Sequence, residues 1–152
     1  MKRLFMVMTI LACLLTALPL WGKQEIADAE GLRSEAVHGF EEILDLWRDG
    51  RYADLYHRTL ISGKDTQESF TRKMSSARLK PSCCWEKMQD VGVSIRTPVN
   101  VVVRAKLGLD APTGMEYKTK SFKLAKEDGV WRISRSDLLA LAEASKKGKK
   151  KR

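Results

Sequence analysis

His57 is the side chain in this sequence best suited to acid–base chemistry. An imidazole titrates near neutral pH and can take up or release a proton during a reaction. His57 directly follows Tyr56 and lies about one helical turn from Leu60, so it could act as a general base beside a phenol donor. The alternative is a half-exposed histidine on a helix flank with no chemical role.

Cys83 and Cys84 form the most unusual dipeptide of the chain. In an oxidising compartment, adjacent cysteines can form a vicinal disulfide, or each can pair with another chain. They can also pack as small apolar residues ahead of Trp85. A Cys-x-x-Cys motif is absent, which favours a structural role over a redox enzyme. The histidines and cysteines lack the spacing of a metal site, so we expect no metal and no cofactor.

The N-terminus has the pattern of an export signal. Lys2 and Arg3 precede an uncharged, apolar run from Leu4 to Leu18, which predicts a secretory signal peptide over residues 1–22. Two alternatives remain: the run stays uncleaved as a membrane anchor, or Cys13 is lipidated. We therefore expect an exported protein, periplasmic or secreted, with membrane anchoring as the alternative.

The net charge of +9 is concentrated at the two ends of the chain. Lys2, Arg3 and six basic residues of the tail, 145–152, account for eight of the 28 Lys and Arg side chains, leaving 20 against 19 acidic ones. A nearly neutral fold argues against specific nucleic-acid binding. The tail is expected to be disordered. It either contacts anionic lipid or nucleic acid through charge alone or is solvated without a partner.

Apolar spacing predicts helices in the first half of the chain. Phe40, Ile43, Leu44 and Trp47 recur at i, i+3, i+4 and i+7, which predicts a helix over 34–49 that ends at Asp49-Gly50. The polar segment 23–34 before it is expected to be a flexible lead-in.

Two more helices are expected before the strands begin. A short apolar set predicts a helix over 52–60. The segment Asp65 to Glu68 has the pattern of a capping box, with Asp65 as the cap, and predicts a helix over 66–78 that buries Phe70 and Met74.

From Trp85 the apolar period changes from 3.6 to 2, which predicts antiparallel strands joined by tight turns. Alternation runs through 91–95 and 99–109, and Asp128-Gly129 is a hairpin signal before a last strand over 130–134. The phase reverses between Tyr117 and Phe122, which predicts a bulge near Lys120-Ser121. A short closing helix is expected over 137–144. About four strands with one apolar face, covered by helices, define an α+β domain over 35–144.

This pattern resembles the nuclear-transport-factor-2-like superfamily, the cystatin-like cone fold of ketosteroid isomerases and polyketide cyclases. The matching stretches are 46–50, 52–56, the Phe70 helix and 129–133, within 35–139. The resemblance implies helices packed in the concave face of a curved sheet, with a pocket between them.

Catalytic relatives place a carboxylate inside this pocket. Here the inferred inner face carries none, because Glu116 opposes Tyr117 and only the expected bulge would bring it inside. Seven side chains could line a pocket for an apolar ligand, although at this spacing they also suit an ordinary core: Trp47, Tyr52, Tyr56, Trp85, Tyr117, Phe122 and Trp131.

The sequence therefore predicts a non-enzymatic, exported binding module that holds a small apolar ligand or a protein partner. The open sheet face would be available for homodimerisation. Two alternatives remain: a lyase or isomerase of the same fold that uses His57 and Tyr56, and a charge adaptor that acts through the lysine tail.

Overall fold

The computed structural model describes residues 21–60 and 65–143, and the chain divides after Gly31 into two compact units. Residues 1–20 of the expected signal peptide, with Cys13, and the expected basic tail, 145–152, lie outside the described residues. The described part of the first unit is the helical stretch from Trp21 to Gly31. In the described ranges, no helix combines the length and apolar character needed to cross a membrane.

The described residues contain four α-helices. They are α1 (Trp21–Arg48), α2 (Tyr52–His57), α3 (Gln67–Ser75) and α4 (Arg135–Glu143). Helix α1 begins at Trp21, well before the predicted start at residue 34, and it includes residues 23–34, for which a flexible lead-in was expected. That segment is rich in Ala, Glu, Gln, Lys and Leu and has no proline, so its intrinsic helix propensity carries α1 further towards the N-terminus.

Helix α2 is shorter than predicted. It ends at His57, and Thr59–Leu60 form the two-residue strand β1, which pairs in parallel with the last strand at Ile133. The Thr59 hydroxyl donates to the carbonyl of Tyr56 at 2.7 Å, and the Ile133 amide donates to the Arg58 carbonyl at 3.0 Å. These bonds give hydrogen-bond partners to the carbonyl groups of Tyr56 and Arg58. Carbonyls in the last turn of a helix have no partner within the helix itself.

Helix α3 has its N-cap one residue later than predicted. The Thr66 hydroxyl, not Asp65, accepts the hydrogen bond from the Ser69 amide, at 3.2 Å. Phe70 and Met74 are buried as expected. The helix ends at Ser75, before the predicted Arg78.

The predicted four long strands are present, and two short strands extend the sheet. The long strands are β3 (Met88–Thr97), β4 (Asn100–Ala111), β5 (Gly114–Glu127) and β6 (Val130–Ser134). The short ones are β1 and β2 (Lys80–Pro81), whose two residues are too few to show alternation in a sequence. The sheet order is β1-β6-β5-β4-β2, and β3 also pairs with β4.

The sheet is curved, unclosed and mostly antiparallel, which confirms the α+β class. Its inner face carries the alternate residues of β4 from Val101 to Leu109, each no more than 1% exposed. These side chains share one core with the buried face of α1, where the rings of Phe40 and Phe122 lie 4.9 Å apart. The face turned away from this core is called the outer face below.

The predicted bulge in β5 is absent. The β4–β5 register is unbroken from Asn100 opposite Ala125 to Ala111 opposite Gly114. Because directly paired residues point to the same face, Glu116 lies on the inner face opposite Leu109, and Tyr117 lies on the outer face. The apolar phase reverses in the sequence because Tyr117 and Phe122 lie on opposite faces of one regular strand.

Candidate functional site

His57 lies in a surface cleft between α1 and α2. The cleft has a volume of about 420 Å³. His57 is exposed at the end of α2, and its ring meets the edge of the Tyr56 ring at 5.8 Å between centroids. The other lining residues are mainly charged: Glu42, Asp45, Leu46, Asp49, Arg51, Asp54 and Arg58.

The carboxylates of this cleft are held in ion pairs. Glu42 contacts Arg58 at 2.9 Å, and Asp54 contacts Arg51 at 2.7 Å. Asp45 accepts from the Lys87 ammonium with both oxygens at 2.8 Å. These ion pairs stabilise the positions of α1, α2 and the segment before β3, and they engage the carboxylates with cations other than His57.

The structure does not assemble His57 and Tyr56 into an acid–base pair. A general base is normally oriented by a third group, yet among the described residues His57 accepts or donates no hydrogen bond with a carboxylate. The Tyr56 hydroxyl donates to the backbone carbonyl of Asp65 at 3.2 Å. The Tyr56 ring packs against Phe70, at 5.6 Å between centroids. Tyr56 therefore joins α2 to α3.

The buried side chain of Arg135 connects several elements of the fold, and the sequence did not predict this role. Its side chain is 2% exposed, its Nε donates to the Thr59 hydroxyl at 3.2 Å, and its Nη1 donates to the Asp65 carbonyl at 2.9 Å. The guanidinium lies 4.3 Å from the centre of the Tyr56 ring, a cation–π distance. Nothing in the spacing of the sequence separates Arg135 from the other basic residues near the C-terminus.

Asp65 gives the molecule a pH-dependent contact. The hydrogen bond from Lys73 lowers the pKa of Asp65 below its ordinary value of 3.8, against the smaller opposing effect of desolvation. A carboxyl with a lowered folded pKa stabilises the protein above its unfolded pKa, and this stabilisation is lost as pH falls through the folded pKa.

We expect the Asp65→Asn variant to be less stable than the wild type at neutral pH, with a difference that disappears well below pH 3.8. Urea denaturation over a pH series measures this difference. Asp90→Asn is the control, because Asp90 is exposed and has no ion pair within the described ranges. A difference between wild type and Asp65→Asn that does not change with pH would contradict the assignment.

The seven aromatic residues predicted to line a pocket do not surround one cavity. Trp47, Phe122 and Trp131 are core residues, no more than 3% exposed. Tyr52 and Tyr56 pack half-buried against that core. Trp85 and Tyr117 are 73% and 45% exposed, because the register of β5 and the turn before β3 place them away from the core.

Exposed apolar side chains lie on β5 at the outer face and on the turn whose Glu86 carbonyl lies next to Gly108, and together they are here called the Trp85 patch. It comprises Cys83, Cys84, Trp85, Met115 and Tyr117, all exposed. Gly108 of β4 lies beneath it, opposite Tyr117 in the register. A Cβ atom at Gly108 would meet both the carbonyl oxygen of Glu86 and the Tyr117 ring, so these two groups lie side by side on the sheet.

The segment that bears Trp85 is fixed at both ends. On one side the Ser82 amide donates to the Gly108 carbonyl at 2.9 Å, and the Ser82 hydroxyl donates to Asp110 at 2.5 Å. On the other side Lys87 is held by Asp45. Between them, Cys84–Glu86 form a short 3₁₀ turn, and the side chains of Cys83 and Cys84 are joined as a vicinal disulfide. The fold thus anchors the backbone on both sides of an exposed tryptophan.

Three cations share the outer face with the patch. Arg104, Lys106 and Lys123 occupy outward positions on β4 and β5, and no carboxylate of the described residues forms an ion pair with them. The Lys106 ammonium lies 4.6 Å from the centre of the Tyr117 ring. The folded part is close to neutral in total, and its outer face carries these three cations together with the Asp110 carboxylate, which lies opposite Met115.

Within the described ranges, no group of three or more His, Cys, Asp or Glu side chains is arranged to hold a metal ion.

Comparison with known proteins gives only structural alignments of low identity and low TM-score. No family model matches the sequence, and no curated protein matches it. A solved structure of Aln2 from a Streptomyces species aligns over 74% of this chain and 96% of its own, with 13% identity and a TM-score of 0.46. A structure from Catenulispora acidiphila aligns over 75% of this chain and 90% of its own, with 10% identity and a TM-score of 0.46. Similarities at this level assign neither a family nor an activity.

Proposed function

We propose that this chain is a non-enzymatic, exported module that binds an acidic protein partner on its outer sheet face. The observation that carries the proposal is the Trp85 patch, a set of exposed apolar side chains with the Lys106 ammonium 4.6 Å from the Tyr117 ring and with Arg104 and Lys123 further along the same two strands. The wider class that we propose is the nuclear-transport-factor-2-like superfamily, supported by helices packed on the inner face of a curved sheet.

The composition of the patch suits a protein interface. Trp, Tyr, Met and Arg are enriched at interface centres, and a tryptophan often supplies a large part of the binding energy. The chain on either side of Trp85 is anchored at Ser82 and Lys87, so little backbone entropy is lost when a partner covers this turn.

The charges on the outer face favour an acidic partner over a second copy of this chain. In a two-fold symmetric dimer the same face of both chains takes part, so Arg104, Lys106 and Lys123 of one chain would approach the same set of cations on the other. Like charges brought together at an interface disfavour association. A partner with carboxylates at matching positions would compensate these cations instead.

An apolar ligand inside the fold is less well supported. The aromatic side chains expected to line a pocket are either packed in the core or exposed on the outer face. The cleft beside His57 is lined mainly by ion-paired groups, which do not favour an apolar molecule.

Fluorescence anisotropy with a labelled peptide of alternating Glu and Leu tests the proposal, with a Gln–Leu peptide as the neutral comparison. We expect the acidic peptide to bind more tightly. We expect Trp85→Ala to weaken binding by about tenfold or more. Lys106→Gln should weaken it less and reduce its dependence on salt.

Val99→Ala is the matched control, because Val99 is 49% exposed but lies in the β3–β4 turn, outside the patch. Equal binding of the two peptides, or equal effects of Trp85→Ala and Val99→Ala, would overturn the proposal. So would a dimer in sedimentation equilibrium that Trp85→Ala dissociates, or tighter binding of a single-stranded oligonucleotide than of the acidic peptide.

A further inference from the structure

We infer that the Cys83–Cys84 disulfide exchanges with a cysteine thiol of the partner docked on the Trp85 patch. This inference rests on the proposed function. It makes the patch a site of thiol–disulfide exchange as well as a binding surface.

The first observation is that this disulfide contributes little to folding through chain constraint. Its two cysteines are adjacent, so the bond closes no loop of the chain and removes almost no entropy from the unfolded state. The segment is already fixed by Ser82 on β4 and by Lys87 on Asp45. Opening the disulfide would leave both anchors in place.

The second observation is accessibility. Cys83 and Cys84 are both exposed, and they immediately precede Trp85, the most exposed of the large apolar side chains that the structure describes. Thiol–disulfide exchange requires a thiolate to reach a disulfide sulfur directly, so access is one of the main determinants of its rate. A partner that covers Trp85 brings its own side chains next to these sulfur atoms.

The third observation concerns the backbone. Cys84 adopts a φ of 63°, in the left-handed region that non-glycine residues rarely occupy. Such conformations persist only where the surroundings impose them, and they concentrate at functional sites. The disulfide therefore lies at a backbone position of the kind found at functional sites.

The exchange has two balanced steps. A partner thiol loses its proton, and the thiolate attacks one sulfur of the pair. A mixed disulfide forms, the Cys83–Cys84 bond breaks, and the released cysteine thiolate takes up a proton. A second thiol of the partner then attacks the mixed disulfide. This step leaves an oxidised partner and reduced Cys83 and Cys84, so two partner thiols are oxidised as one disulfide is reduced.

Intact-mass spectrometry of the oxidised mature chain tests this inference. The probes are the Glu–Leu and Gln–Leu peptides, each carrying one reduced cysteine, and the reaction is stopped with acid. We expect the mixed disulfide to form at least about ten times faster with the acidic peptide, because docking raises the local thiol concentration. Trp85→Ala should remove this advantage, and Val99→Ala should keep it.

Two further measurements separate this inference from the proposed function. A variant with both Cys83→Ser and Cys84→Ser should still bind the Glu–Leu peptide in the anisotropy assay. Binding by this variant without any adduct on the wild type would overturn the exchange alone. Loss of peptide binding by both proteins, with equally slow adduct formation from both peptides, would overturn both proposals. Reduction of the wild type should leave its thermal midpoint unchanged, and unfolding on reduction would show a structural disulfide.

Discussion

Trp47→Ala is expected to lower the free energy of unfolding by about 3–5 kcal/mol, the usual cost of truncating a large aromatic side chain in a core. Trp47 is fully buried on α1, in the same core as the inner residues of β4. Its removal leaves a cavity between α1 and the sheet that the surrounding side chains can fill only in part. Urea denaturation followed by circular dichroism measures the loss.

Trp85→Ala is the matched control for this prediction. The substitution is chemically identical, but Trp85 is 73% exposed, so the stability should change by no more than about 0.5 kcal/mol. A large loss for Trp85→Ala, or a small one for Trp47→Ala, would mean that the core and the exposed patch have been wrongly assigned.

Gly108→Ala is expected to destabilise the protein by about 1–3 kcal/mol, as overpacking does elsewhere. The added Cβ would collide with the backbone carbonyl oxygen of Glu86, which cannot rotate away as a flexible side chain would. The strand or the turn that bears Trp85 must therefore move. We expect weaker binding of the Glu–Leu peptide together with the loss of stability, both measurable on one preparation.

Gly92→Ala provides the comparison on the neighbouring strand. Gly92 lies on β3 opposite Arg104, and a Cβ atom there has no neighbour within 4 Å. Without a clash, the substitution should be neutral or stabilise the protein by up to about 1 kcal/mol, because alanine restricts the unfolded chain. Equal losses for Gly92→Ala and Gly108→Ala would contradict the close contact between β4 and the Glu86 turn.

The sequence predicted the elements whose burial follows a simple period. The apolar spacing from Phe40 to Trp47 marks the buried face of α1, and the alternation along β4 marks the inner face of the sheet. The position of α3 followed from its start signal and from Phe70 and Met74. These features depend on local spacing, which a sequence displays directly.

The location of the aromatic residues did not follow from the sequence. Tyr117 and Met115 are apolar, so their phase indicated an inner face and required a bulge to reconcile them with Phe122. The unbroken β4–β5 register instead places them outside. A pattern does not distinguish an apolar side chain buried in a core from one exposed on a surface, and only the pairing of the strands separates the two.

The burial of Arg135 and the clustering of cations were also beyond the sequence. Arg135 is buried because Thr59 and the Asp65 carbonyl, distant in sequence, accept its hydrogen bonds. Arg104 and Lys123 share a face because β4 and β5 pair in a particular register. The burial of Arg135 and the shared face of Arg104 and Lys123 both depend on contacts between elements that are distant in sequence. The number and order of charges along the chain therefore do not predict them.

Hydroxyl-radical footprinting of the protein, with and without the Glu–Leu peptide, tests the central claim most directly. The method reports the solvent exposure of individual Trp, Tyr, Met and His side chains. We predict protection of Trp85, Met115 and Tyr117 on the outer face, with His57 unchanged in its cleft. Protection of His57 with an unchanged Trp85 would contradict the account and place the binding site between α1 and α2.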